Sequence, residues 1–213
     1  MVAQSDERSA SRPPRRQRSD GERSRAAILR EAARLATVEG LDGLSLARLA
    51  AAVGMSKSGL FAHFGSKEEL QLATIDAASA IFDELVIQPA DEEAAGVPRL
   101  RAYIERFLDH VEEGVFPGGC FFVSAMGELD THPGPVRDGA MAFSQRWLTL
   151  LAQQVAAAQA AGALDPTADP AQIAFELNAY MVVGNIQFVA TSDPTALDRV
   201  RRAVDTRLDA LAV

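Results

Sequence analysis

Residues 45–70, with the sequence SLARLAAAVGMSKSGLFAHFGSKEEL, constrain the fold more than any other part of the chain. Apolar residues recur at helical spacing from Leu46 to Val53, which predicts a helix with one buried face. Gly54 predicts the end of that helix, because glycine tolerates a left-handed backbone. Ser56 can cap a following helix through its hydroxyl group. The pattern therefore predicts two helices joined by a tight turn.

The second of these helices is short and has a polar outer face. We predict it over residues 57–64, about 12 Å at 1.5 Å per residue, with Leu60 and Phe64 four residues apart on the buried side. Ser66 and Glu69 then have the spacing of a capping box, which predicts the start of a third helix. A short helix with a small, singly basic outer face is typical of the recognition helix of a helix-turn-helix.

The segment AAVGMSKSGLFAHFGSKEEL, residues 51–70, resembles the DNA-binding signature of the TetR family of transcriptional regulators. The resemblance covers about residues 23–72 at the level of sequence motifs, and the remainder at the level of architecture. It implies an all-α fold of about nine helices. In that fold an N-terminal three-helix helix-turn-helix DNA-binding domain precedes a C-terminal helical domain for ligand binding and dimerisation.

The charge distribution agrees with DNA contact at one end of the molecule. The formal net charge is -8, yet residues 1–70 hold 12 Lys and Arg against 9 Asp and Glu, whereas residues 71–213 hold 9 against 20. We predict a disordered basic arm at 1–20, a DNA-binding head at 21–68 and an effector-binding and dimerisation body at 69–213. The arm either reaches DNA phosphates or is a frayed tail.

Residue chemistry and the resemblance together give a set of candidate DNA contacts. Lys57 can reach guanine acceptors or a phosphate, Ser58 can donate to a base or a phosphate, and Gly59 removes bulk where the backbone meets DNA. The resemblance implies phosphate contacts at other positions of the motif, and the remaining members of the set are Ser45, Ser56, His63 and Lys67.

Phe61 stands where the family often has a tyrosine whose hydroxyl group binds a phosphate. Phenylalanine keeps the ring and loses the hydroxyl, so we include Phe61 in the DNA-binding set with plain packing as its alternative role. Helix capping alone is the alternative role of Ser45 and Ser56.

Apolar periodicity predicts helices throughout the body. They cover about residues 69–88, 100–115, 120–129, 136–161, 170–191 and 194 to the end. In proteins of the family, the first of these helices connects the head to the body and is the natural carrier of an allosteric signal.

The last two helices carry apolar stripes that predict a four-helix homodimer interface. The stripes consist of Leu197, Val200, Val204, Leu208 and Leu211 on the last helix, and of Ile173, Leu177, Tyr180, Gly184 and Phe188 on the helix before it. Internal packing within one monomer is the alternative interpretation of both stripes.

The resemblance also implies a small-molecule cavity between the central helices of the body. Its candidate ligand-binding residues are Phe107, His110, Phe121, Met126, Phe143, Trp147, Asn178, Met181 and Gln187. A mainly aromatic set with few polar members predicts a small apolar or aromatic effector. Core packing is the alternative role of each aromatic residue.

Nothing in the sequence indicates catalysis. The segment 54–59 has the spacing G-x-S-x-x-G, and no strand precedes it as a nucleophile elbow requires. The three histidines lack metal-binding spacing, so we expect no enzyme activity, no cofactor and no metal. The single cysteine, Cys120, favours a buried, inert thiol over a redox sensor. With no secretory signal and no long apolar run, we expect a cytoplasmic protein without a membrane partner.

These features lead to one hypothesis, a ligand-responsive repressor that binds palindromic double-stranded operator DNA as a homodimer and is released by a small-molecule effector. A constitutive DNA-binding regulator without a physiological ligand is the first alternative. The second is a helical enzyme or carrier that has acquired the head.

Overall fold

The computed structural model describes residues 15–129, 131 and 133–213, and side chains from residue 21 onward within these ranges. Over this part of the chain the secondary structure is helical, and the one β-type contact is an isolated bridge between Leu164 and Ala212. The all-α fold class is therefore confirmed.

Ten α-helices and one π-helical turn follow one another along the described chain. They are α1 Arg15–Glu39, α2 Leu46–Ala52, α3 Lys57–Phe61, α4 Lys67–Phe82, the π-helical turn Asp83–Ile87, α5 Gln88–Asp91, α6 Val97–Glu112, α7 Phe121–Leu129, α8 Pro135–Ala160, α9 Pro170–Thr191 and α10 Thr195–Asp209. Because α4, the π-helical turn and α5 are continuous, we treat them together as the connecting helix. Counted in this way, the described residues form nine helices, the number predicted.

Side-chain caps define where the helices of the head begin. Ser45, Ser56 and Ser66 each accept, through Oγ, a hydrogen bond from the backbone N–H three residues later, at distances of 3.0 to 3.2 Å. Each bond satisfies an N–H group that has no partner within its own helix. The capping roles considered for Ser45 and Ser56 are therefore present.

Two helix boundaries of the head differ from the sequence prediction. Helix α1 begins at Arg15, inside the segment 1–20 that was predicted to be disordered, so the backbone of residues 15–20 is helical. The rest of the predicted arm, 1–14, lies outside the described residues. Helix α3 ends at Phe61 rather than at Phe64. After Phe61 the N–H of His63 bonds the carbonyl of Leu60, three residues earlier, and Ser66 then adopts an extended backbone, with φ -151° and ψ 167°, that caps the next helix.

The connecting helix continues through Pro89, where the sequence predicted an irregular link. A proline has no N–H group, and its ring crowds the carbonyl group four residues earlier in an α-helix. In the π-helical turn, the N–H of Gln88 instead bonds the carbonyl of Asp83, five residues earlier. The wider turn immediately before Pro89 accommodates the ring, and the helix ends at Asp91.

The apolar stripes predicted as the dimer surface lie mostly inside the monomer, so this assignment was wrong. The buried members are Ile173, Leu177, Gly184, Leu197, Val200, Val204, Leu208 and Leu211. Helices α9 and α10 pack against each other, and α9 also packs against α8. A Cβ atom on Gly184 would lie 2.2 Å from Cγ2 of Val200, so glycine permits this close approach.

Among the described residues, α9 is the one helix long and apolar enough to cross a membrane by length and composition alone. Core helices of soluble proteins meet the same criterion.

Candidate DNA-binding surface and effector cavity

Four of the predicted DNA contacts line one shallow groove on the surface of the head. Ser45, Lys57, Phe61 and Lys67 surround it, together with the segment 43–47. Helices α2 and α3 and the first residue of α4 bring these side chains together. The groove therefore combines a hydroxyl group, two ammonium groups and an aromatic ring, a set suited to a phosphate backbone.

Helix α3 presents Lys57, Ser58 and Phe61 on one open face. Phe61 is 47% exposed, whereas Leu60 and Phe64 are fully buried beneath it. Plain packing therefore does not account for Phe61. No hydrogen bond or ion pair ties Lys57 to the described part of the chain, so its ammonium group remains available to a ligand.

Besides Ser58, three members of the predicted set lie outside this groove. Ser56 Oγ caps α3 and lies 3.2 Å from Ser58 Oγ. A Cβ atom on Gly59 would lie 3.1 Å from Ser56 Oγ, so the glycine makes room for the cap, a role that sequence analysis missed. His63 is half-buried, with its ring centroid 6.3 Å from that of Phe64.

Lys67 is held by the loop between α1 and α2. Its Nζ donates to the backbone oxygen of Asp42 at 2.5 Å and to Oδ1 of Asp42 at 3.0 Å. Gln71, one turn further along α4, donates to the backbone oxygen of Leu41 at 2.9 Å. These bonds fix the α1–α2 loop to the first turns of the connecting helix.

The same loop is held from the body by a carboxylate. Glu128 on α7 accepts hydrogen bonds from the backbone N–H groups of Leu41, at 2.6 Å, and Asp42, at 2.7 Å. Nearby, the N–H of Gly118 donates to Thr37 Oγ1 at 3.2 Å. Helix α7 therefore contacts the head directly. Sequence analysis missed Glu128, although it is the one charged residue of the very apolar segment CFFVSAMGEL.

An aromatic cluster surrounds Phe82, the last residue of α4. The ring centroid of Phe82 lies 5.1 to 6.4 Å from the centroids of Phe143, Trp147, His110 and Phe107. Edge-to-face pairs at such distances contribute stability beyond the area that they bury. The cluster anchors the connecting helix to α6 and α8.

A cavity of about 410 Å³ adjoins this cluster and is lined by residues of α4, α6, α7, α8 and α9 and by Cys120, which precedes α7. The predicted ligand-binding residues that line it are Phe107, Met126, Phe143, Trp147 and Asn178. Lining residues that sequence analysis missed include Phe82, Cys120, Phe122, Ser144, Val182 and Ile186. Val182 and Ile186 follow Asn178 by four and eight residues, so helical spacing from Asn178 was a usable signal.

Four predicted ligand-binding residues do not line the cavity. His110, Phe121 and Met181 are buried in the surrounding core. Gln187 is exposed, and it lines a surface depression between α9 and α10. Because nine residues correspond to about two and a half helical turns, Gln187 and Asn178 face opposite sides of α9.

The cavity wall contains no charged side chain within the described part of the chain. Burial raises the pKa of the Cys120 thiol to about 11, so this lining residue is protonated at neutral pH. Burial lowers the pKa of nearby His110 to about 4, so its imidazole is neutral. The cavity is therefore an electrically neutral, largely aromatic site.

Comparisons with known proteins agree with this arrangement of head and body. A family described as "Bacterial regulatory proteins, tetR family" matches residues 28–74, and one described as "Tetracyclin repressor-like, C-terminal domain" matches residues 96–204. The chain belongs to the TetR family of transcriptional regulators, whose members bind operator DNA and small-molecule effectors. No curated protein matches the chain.

Solved structures of the same class share the fold. A TetR transcriptional regulator from Chloroflexus aurantiacus J-10-FL is 24% identical, with a TM-score of 0.84 over 91% of this chain and 98% of that chain. AibR, solved with isovaleryl coenzyme A and operator DNA, is 26% identical, with a TM-score of 0.68 over 89% and 98%. Reduced NemR from E. coli is 21% identical, with a TM-score of 0.72 over 86% and 96%.

The burial of His110 predicts a pH-dependent stability. Nδ1 of His110 has no hydrogen-bond partner among the described residues, and burial lowers its pKa from 6.5 to about 4. The unfolded chain therefore binds a proton that the folded chain excludes. We expect this to reduce the free energy of unfolding by up to about 1.4 kcal/mol per pH unit as the pH falls from about 6.5 to about 4.

Urea unfolding of the wild type and of His110→Phe between pH 7 and pH 4.5 measures this contribution. The variant keeps an aromatic ring against Phe82 and Phe116 and should lose this part of the pH dependence. An identical fall in the free energy of unfolding for both proteins would contradict the assignment.

The contact of Glu128 with the α1–α2 loop predicts a local effect of Glu128→Gln. A glutamine oxygen can replace one acceptor, but the amide group then faces a second backbone N–H. We expect the free energy of unfolding to fall by about 1–3 kcal/mol. Hydrogen–deuterium exchange at Leu41 and Asp42 should also become faster. Glu113→Gln, at an exposed position of the body, is the matched control, and equal exchange in the two variants would exclude the role.

Proposed function

We propose that this protein is a ligand-responsive transcriptional repressor that is released from palindromic operator DNA by a small apolar or aromatic effector. One observation carries the proposal. Helix α4 begins in the head groove at Lys67 and ends in the cavity wall at Phe82. At 1.5 Å per residue, its 16 residues span about 24 Å as a single rod. Displacement at one end therefore reaches the other end directly.

The head is suited to contact with DNA through α3 and its surroundings. We propose that α3 enters the major groove with Lys57 and Ser58 at base edges or phosphates. Ser45, Phe61 and Lys67 then flank the phosphate backbone along the head groove. The side chain of Lys67 remains about half exposed while it is bonded to Asp42. A phosphate can therefore join or replace the carboxylate as the partner of Lys67.

A homodimer is supported by a different face of α9 from the one predicted. Phe175, Val183 and Val189 are 39 to 61% exposed on this helix. Isolated soluble chains rarely expose a contiguous apolar surface of this kind, and burying it on a second copy removes it from water. Two copies also supply the two heads that a palindromic operator requires.

Release of the operator follows because two helices that line the cavity, α4 and α7, also contact the head. A ligand that displaces Phe82 tilts α4, and one that displaces α7 moves Glu128 and the α1–α2 loop. Both movements change the position of α3 relative to its symmetry mate. By thermodynamic linkage, operator and effector then weaken each other's binding by the same factor.

The alternative, a constitutive regulator without a ligand, would be favoured if side chains filled the space between the helices of the body. A cavity of about 410 Å³ remains between the helices, and its size and wall favour a small-molecule site. The ligand of AibR does not transfer simply, because no cationic side chain among the described lining residues could pair with the phosphates of coenzyme A. We propose that the protein acts in the cytoplasm, where it has access to DNA.

Replacement of Lys57 tests the DNA-binding role. We expect Lys57→Ala to weaken binding to the operator by about 1–3 kcal/mol, measured by fluorescence anisotropy at fixed salt. Arg106→Ala removes one positive charge from the exposed surface of α6 and is the matched control. Unchanged affinity of Lys57→Ala for the operator would exclude Lys57 from the interface.

The exposed face of α9 predicts the oligomeric state. Light scattering at micromolar concentration should give twice the chain mass of 22.7 kDa for the wild type and a shift towards the monomer for Val183→Glu. Val38→Glu makes the same change at a 63% exposed position of α1 and should leave the dimer intact. A monomeric wild type would refute this interface.

A further inference from the structure

The orientation of one amide group gives the cavity a specific hydrogen-bonding character. Trp147 Nε1 donates to Oδ1 of Asn178 at 3.2 Å. Because an indole nitrogen can only donate, this bond requires the amide oxygen, not the amide nitrogen, to face Trp147. The Nδ2 group of Asn178 therefore points elsewhere with two N–H donors, and it bonds none of the described residues.

Among the described residues of the cavity wall, Asn178 is the one whose side chain offers free N–H donors. The hydroxyl group of Ser144, which also lines the cavity, already donates to the backbone oxygen of Ala140 at 3.3 Å. Cys120 is a protonated thiol, which is a weak donor. A ligand that accepts a hydrogen bond therefore has one strong partner in the cavity.

The remainder of the wall favours a flat, uncharged ligand. Phe82, Phe107 and Trp147 present aromatic surfaces from three different helices, and the rings of Phe122 and Phe143 are stacked face to face. Aromatic ligands gain from edge and face contacts with such a wall. An anionic ligand would lose its hydration without meeting a cation, a large cost in a site of this polarity.

We infer that the cavity selects a neutral, planar aromatic ligand that carries a carbonyl-type acceptor, such as an aryl ketone, ester or amide, with its oxygen bound to Nδ2 of Asn178. Trp147 acts as the positioning residue, because its N–H group sets the orientation of the Asn178 amide. The effector role of this ligand rests on the proposed function, whereas its selective binding does not.

Three naphthalene probes of similar shape separate the components of this inference. The probes are 2-acetylnaphthalene, which is neutral with an acceptor, 2-ethylnaphthalene, which is neutral without one, and 2-naphthoate, which is anionic. In isothermal titration calorimetry of the full chain without DNA, 2-acetylnaphthalene should bind about tenfold more tightly than 2-ethylnaphthalene. Binding of 2-naphthoate should be weaker than that of the ketone by at least about tenfold.

Variants of Asn178 test the assignment of the donor. The double variant Asn178→Leu/Trp147→Phe removes the amide donors and also the indole N–H that loss of Asn178 would free. It should bring the affinity ratio of ketone to hydrocarbon close to one while retaining 2-ethylnaphthalene binding, which also shows that the cavity is intact. Asn178→Asp replaces the donors with acceptors, so it should prefer 2-naphthol, a hydrogen-bond donor, over the ketone. Trp147→Phe should lower the wild-type ratio, because the amide is then free to rotate.

Several results would overturn the inference. These are equal binding of ketone and hydrocarbon by the wild type, an unchanged preference in Asn178→Leu/Trp147→Phe, tight binding of 2-naphthoate, or no binding of any probe. Operator binding, measured separately, distinguishes this failure from failure of the proposed function. A chain that selects the ketone but binds no operator contradicts the proposed function alone.

Discussion

The packing of Phe82 against the aromatic residues of α6 and α8 is the interaction on which the remainder of the molecule depends. Phe82 is 2% exposed, and the rings of Phe143 and Trp147 meet it edge to face. This contact fixes the body end of α4 within the wall of the cavity. The head end of α4 is fixed by the bonds of Lys67 and Gln71 to the α1–α2 loop. Since the two anchors share one rigid helix, the position of the groove on the head is set inside the body. The contact of Glu128 with the same loop adds a second mechanical connection through α7.

The sequence predicted the head well because its determinants are local. Ser45, Ser56 and Ser66 cap helices through bonds that span three residues, and the apolar spacing that buries Leu49 and Leu60 is visible in a short window. The proposed dimer face could not be predicted in the same way. Helix α9 is apolar on almost every side, so its periodicity shows that faces are buried without showing which neighbour covers each one. Internal packing against α8 and α10 buries the stripe with Ile173 and Leu177, whereas Phe175 and Val183 remain exposed.

The cavity shows the same division between local and long-range information. Trp147 and Asn178 were predictable as polar or aromatic residues on apolar helices, yet the bond between them joins residues 31 positions apart. Gln187 looked equivalent to Asn178 by composition and differs only by half a helical turn in direction. Glu128 reaches the backbone 87 positions away, a distance at which no periodic pattern operates. Residue type thus indicated the chemistry of the site, whereas direction and long-range pairing required the folded chain.

The π-helical turn at Asp83–Ile87 has a geometrical consequence for the coupling of the two ends of the connecting helix. A turn with bonds from residue i to residue i+5 contains one residue more than an α-helical turn, and each α-helical residue advances the helix by about 100°. The extra residue therefore resets the angular register between α4 and α5. It lets Val86 and Ile87 face the core while Leu85 turns towards solvent. The angular register between the Phe82 anchor and the buried residues that follow it on the connecting helix is therefore set by this single extra residue.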